Sequence, residues 1–340
     1  MAKFYYGGQA VMEGVMMRGR NAVAMAVRRE EGDIYVHEEA LEPRIYQNKY
    51  LRLPFLRGMV LLWEMLVLGT RLMTLSANIA SGAMDPSAAV AASPASAGAP
   101  TPVVGGQEAK ESPEAIGGAR LILPLIVSLT FAVAIFFVGP LLLASLLRQQ
   151  IGDGWLNIAL EGVIRLVLLV GYLYLIGRLP DIQRVFGYHG AEHKAINAME
   201  KGDPLDVAHV RQASRVHTRC GTGFMLLVMV VSIFVFAIVG SPPLLIKIIA
   251  RIVLVPVVAG IAYELMRLGA ANYRYRIVRW LLAPGLALQG LTTREPDDSM
   301  IECAIASLER VMTRDTEAEV IAGEKPAVPP VWSPTCRFDP

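Results

Sequence analysis

The sequence is short of charge. Asp, Glu, Lys and Arg make up 18% of its 340 residues, while 54% are hydrophobic; an ordinary soluble domain is nearer a quarter charged. Mean hydropathy is +0.45, and the apolar residues are gathered into long runs, so the chain reads as an integral membrane protein. Cysteine is scarcer still. Cys220, Cys303 and Cys336 are odd in number and have no C-x-x-C spacing, which argues against a disulfide framework and for reduced, cytoplasmic thiols. The opening residues, MAKFYYGGQAVMEG, contain no apolar run before a cleavage pattern, so no signal peptide is expected. No internal repeat is visible, no G-K-[S/T] completes a phosphate loop, and nothing calls for a specific nucleic-acid partner.

The first 51 residues lack a long apolar run. GGQAVMEGVMMRG, at 7–19, sets Gln9, Glu13 and Arg18 among glycines and methionines. Its composition predicts a tight turn packed by Val11, Met12, Val15 and Met16. NAVAMAVRR and DIYVHEEAL then flank EEGD, the pattern of a β-hairpin. Residues 52–81 are apolar but carry Glu64 and Arg71 in mid-segment. A charge at the bilayer centre costs about 2.5–3.5 kcal/mol on insertion scales, so a half-inserted or interfacial helix is expected there. The Ala/Pro-rich stretch 82–118 reads as a flexible linker.

Four stretches, at about 120–147, 156–178, 222–240 and 243–267, each supply the roughly 20 apolar residues that cross ~30 Å of hydrocarbon. They form two hairpins, 119–178 and 222–267, around a polar loop at 179–221. Glu161 and Arg165, at i and i+4, are expected to neutralise each other inside the bundle. After the second hairpin, 268–312 predicts an interfacial helix and then an amphipathic one opened by a Ser299–Glu302 capping box. Residues 313–340 read as a disordered tail. The fold class is therefore mainly α: a polytopic membrane protein with four transmembrane helices, a half-inserted or interfacial helix and a small N-terminal β element.

Charge placement sets the orientation. Arg184, Lys194, Lys201, Arg211, Arg215 and Arg219 lie in 179–221, and Arg267, Arg274, Arg276 and Arg279 follow the last span. The turns at 148–155 and 241–243 hold only Arg148. By the positive-inside rule the loop and the C-terminal segment face the cytoplasm. Lys247 and Arg251 pull the other way.

The loop carries the chemistry. YHGAEHKAINAMEK, at 188–201, contains H-x-x-E-H, and on a helix His189, Glu192, His193, Ile196 and Glu200 share one face. Tyr188, Ala191, Ala195 and Ala198 form a second, apolar face. Two imidazoles at i, i+4 are a recurrent zinc arrangement, and the inverted zinc-peptidase motif adds its glutamate as base. Candidate further ligands are His217 and Cys220, at i, i+3 in RVHTRCG, and Glu264, an acid near the cytoplasmic end of the last span. The alternative is a satisfied polar network that docks the loop on the bundle.

GGQAVMEGVMMRG, YHGAEHKAINA, HTRCGTGF and LTTREPDD, in this order, resemble the YqhQ-type family of bacterial membrane proteins. The resemblance covers most of residues 5–310. It implies a predicted metal-dependent enzyme of unestablished activity, and it names no reaction.

Two classes of function follow. One is a hydrolase-like enzyme of the bacterial plasma membrane with a bound divalent metal such as zinc and Glu192 as general base. Arg215 and Arg219 would face an anionic substrate, a lipid headgroup or a phosphate ester, unless they simply face anionic lipid. The other is a non-catalytic scaffold for another membrane complex, such as the ribosome or the translocation machinery.

Overall fold

The computed structural model describes residues 6–41, 56–83, 127–128, 130–132, 134–147, 152, 155–240 and 243–321. Most of the expected linker and the tail beyond 321 lie outside these residues.

Strands β1 (Gly7–Val11), β2 (Gly14–Arg18), β3 (Ala22–Arg28) and β4 (Ile34–Ala40) form one antiparallel sheet in sequence order. The expected β3–β4 hairpin is present, and the segment read as a packed turn is a second hairpin. Val11 pairs with Gly14 across Met12 and Glu13, and Glu13 takes a positive φ of 54°. Gly14 is obligatory for packing: a Cβ there would sit 2.1 Å from the Ala26 carbonyl oxygen.

Alternation along β3 explains why both sheet faces are covered. Val23, Met25 and Val27 point to one side and pack against Leu68, Leu72 and Ile79 of helix α1 (Leu56–Ala80). Ala22, Ala24 and Ala26 point to the other side, toward Tyr188, Ala191, Ala195 and Ala198 of α4 and Ile301, Ala304 and Leu308 of α9. Here α4 is Pro180–Lys201 and α9 is Asp298–Ile321. Alanine on both partners allows close approach, and the result is a helix–sheet–helix sandwich.

Beside it stands an apolar bundle: α2 (Gly139–Leu146), α3 (Trp155–Ile176), α6 (Gly221–Val239), α7 (Leu244–Ala271) and α8 (Arg276–Thr292). A π-helical turn, Ala134–Val138, leads into α2, and the short helix α5 (Val207–Gln212) precedes α6. Four described helices are long and apolar enough to cross a membrane: Arg57–Ala80, Leu156–Ile176, Gly221–Val239 and Leu245–Ala271. The stretch expected as the first span shows a shorter apolar helix, Thr130–Leu146. Phe234, Ile238, Val253 and Leu175 are each at least 65% exposed, an outer surface suited to lipid tails.

The Glu161–Arg165 pair forms as expected, at 2.7 Å. α9 departs from its expectation at both ends. Its cap is Asp297, whose Oδ1 accepts the Met300 N–H at 2.9 Å, so the Ser299–Glu302 box falls inside the helix. It also continues to Ile321 because the turn beyond 312 has work: Asp315 accepts the Arg20 and Asn21 N–H groups, each at 2.7 Å.

Candidate metal centre

α4 starts at Pro180, where a missing N–H costs nothing, and ends at Gly202 in the left-handed conformation, φ 81°. Between them His189, Glu192 and His193 project from one side. Residues 189, 193 and 220 then meet: one ligand atom from each of His189, His193 and Cys220 lies within 4.8 Å of the others. Cys220 gets there as the N-cap of α6, its Sγ 3.4 Å from the Thr222 N–H and 3.3 Å from His189 Nε2.

Both rings are fixed through their other nitrogen. His189 Nδ1 lies 2.9 Å from the Thr292 carbonyl oxygen, and His193 Nδ1 lies 2.5 Å from that of Arg215. A backbone acceptor at Nδ1 holds the tautomer that leaves Nε2 with a free lone pair, the usual support of a metal-bound imidazole. Ligand bonds of 2.0–2.3 Å at a tetrahedral centre place sulfur and nitrogen about 3.5 Å apart. The observed 3.3 Å between Cys220 and His189 fits that requirement.

The remaining candidates lie elsewhere. His217 lies near His193, ring centroids 5.6 Å apart and planes tilted by 48°, but its Nε2 faces Arg219 at 3.2 Å and Glu200 at 3.9 Å. Burial holds His217 below its ordinary pKa, against the pull of Glu200. Gln289, which belongs to no motif, clamps it through both backbone groups at 3.0 and 2.8 Å. Glu264 is outside the cluster, ion-paired with Arg57 at 2.7 Å. Arg215 pairs with Glu295 at 3.0 Å, and Arg219 pairs with Glu200.

Glu192 is 5% exposed and turns toward β1. Burial pushes its carboxyl up, while His189 and the Gly8 N–H pull it down less strongly. Gly8 admits it closely: a Cβ there would lie 3.0 Å from Glu192 Cγ. The other polar residues of the glycine-rich hairpin hold the sandwich together. Glu13 takes a bidentate bond from Arg184 and the Tyr188 hydroxyl at 3.3 Å. Arg18 reaches Glu64 of α1 at 3.1 Å, and Gln9 lies against Gly69.

LTTREPDD closes the site from behind. The Arg294 N–H donates to the Phe186 carbonyl at 2.9 Å, and Glu295 reaches Lys194 at 2.7 Å. Gly190 is needed for this approach, since a Cβ would sit 2.2 Å from the Arg294 carbonyl oxygen. The four motifs thus converge on one helix, α4.

A family model described as "Protein of unknown function (DUF1385)" matches residues 53–314. The uncharacterized protein YqhQ of Bacillus subtilis (strain 168) is 35% identical over 318 residues, covering 92% of this chain and 94% of that protein. No solved structure matches. The chain belongs to the DUF1385 family of proteins of unknown function.

Proposed function

We propose that this is a metal-dependent enzyme of the bacterial plasma membrane, hydrolase-like, with its site at the cytoplasmic face. The observation that carries it is the pairing of each Nδ1 with a backbone carbonyl, which leaves each Nε2 available as a ligand, that of His189 3.3 Å from the Cys220 sulfur. His189, His193 and Cys220 would hold the ion. A divalent cation such as zinc supplies, when bound, a Lewis acid that acidifies water. Glu192 is suited to take and return a proton, because burial raises its affinity for one. The orientation rests on the basic loop and on α1. Arg57 and Gly58 touch Glu264 and Tyr263 near the α8 end of α7, and Leu68–Ile79 lie on the sheet, so both ends of α1 sit on the α4 side.

The test is metal analysis of protein purified without chelators. About one zinc or similar ion per chain is expected, falling below a tenth of that in a His189→Ala/His193→Ala variant that still elutes as a folded species. Metal-free wild type would end this proposal and leave the scaffold role, in which the same polar groups merely dock α4 on the bundle.

A further inference from the structure

The far end of the bundle contains a second charged cluster. Glu161 and Arg165 of α3 and Arg251 of α7 are 5%, 2% and 8% exposed. Arg251 Nη2 donates to Glu161 at 2.6 Å, so one carboxylate serves two guanidiniums. Arg165 also donates to Ser232 at 2.9 Å and to the Phe136 carbonyl at 3.1 Å. The Phe236 ring lies 5.5 Å from the Arg165 guanidinium and 5.1 Å from that of Arg251, an arrangement that offsets part of the cost of burying both.

From this cluster a shallow crevice opens, lined by Phe236, Val239, Gly240, Lys247, Ala250 and Arg251. Lys247 has no ion pair among the described residues. It sits in the first turn of α7, where the helix dipole adds positive potential. Gly240 leaves the mouth open, with nothing near the position of a Cβ. The rim is apolar: Ile238 is 86% exposed, Leu245 69% and Ile246 53%. Lys247 and Arg251 are the two cations that contradict the positive-inside pattern. Lys247, Arg165 and Arg251 set three positive charges against the single carboxylate of Glu161, an excess that a bound anion would offset.

We propose that this crevice binds a phosphate-bearing anion, seated between Lys247 and Arg251 at the membrane face opposite the His–Cys cluster. Lys247 is the discriminating residue, because it lies outside the buried ion-pair cluster and its loss leaves that cluster intact. The experiment compares thermal midpoints of full-length protein in phosphatidylcholine nanodiscs, in nanodiscs containing phosphatidylglycerol, and in detergent with and without inorganic phosphate. Wild type should gain several degrees with phosphatidylglycerol, and Lys247→Gln should lose at least half of that gain. Lys201→Gln, at the other end, should keep it. A Lys247-dependent gain with inorganic phosphate alone would support the site and assign its ligand to free anions. No gain from either source, or an equal gain in Lys247→Gln, would overturn the proposal.

Discussion

Glu309 is the residue whose protonation the fold most visibly constrains. Its Oε1 is buried without a hydrogen-bond partner among the described residues, and burial raises its carboxyl from 4.5 to about 7. The folded chain therefore keeps a proton that the unfolded chain releases, and stability falls as pH rises from about 4.5 to 7. Glu309→Gln should add about 1 kcal/mol at pH 8, a figure discounted for partial exposure, and almost nothing at pH 5. Urea unfolding in detergent at both pH values measures it; equal gains would show that the carboxyl is not held protonated. Residue-level chemistry was partly visible in the sequence. The i, i+4 spacing puts His189 and His193 on one face without knowledge of the fold. The backbone carbonyls of Thr292 and Arg215 carry no signature in side-chain identity, so their support of the two rings could only be seen in three dimensions.

At the scale of elements, the buried pair Glu161–Arg165 gives the sharpest expectation. Glu161→Gln would leave Arg165 and Arg251 facing each other without a counter-charge, at an expected loss of about 3–5 kcal/mol. Ser232→Ala, which removes one neutral acceptor, should lose about 1 kcal/mol. Denaturant titration in detergent separates the two; a loss under 1 kcal/mol for Glu161→Gln would mean that water screens the cluster. Local spacing revealed the first pair, since both residues sit one helical turn apart. Arg251 belongs to another helix 90 residues away, and no periodicity links the two. The β1–β2 hairpin was hidden for a different reason. Glycines at 7, 8 and 14 weaken strand propensity, and the last two are present because Glu192 and the Ala26 carbonyl press against Gly8 and Gly14.

For the whole molecule, length and apolarity announced three of the four described helices long enough to cross a membrane, and missed α1, whose mid-segment charges argued for a half-inserted helix. The three-layer packing of α1 on the sheet settles less visibly why Glu64 and Arg71 are tolerated: Arg18 and Glu39 meet them. If α1 stays on the α4 side, residue 87, outside the described residues, also faces the cytoplasm. A Ser87→Cys variant should then resist a membrane-impermeant thiol reagent in intact cells and react after lysis; labelling before lysis would reverse the orientation. The sheet itself has a further consequence. One of its faces is covered by α1, within the first 80 residues, but its alanine face waits for α4 and then for α9, where Ser307 bonds the Ala24 carbonyl at 2.9 Å. During synthesis the β strands, complete at Ala40, emerge well before α9, which starts at Asp298, and the apolar segments of the bundle come between them. The alanine face of the sheet is thus completed only by a helix that every apolar span of the bundle precedes.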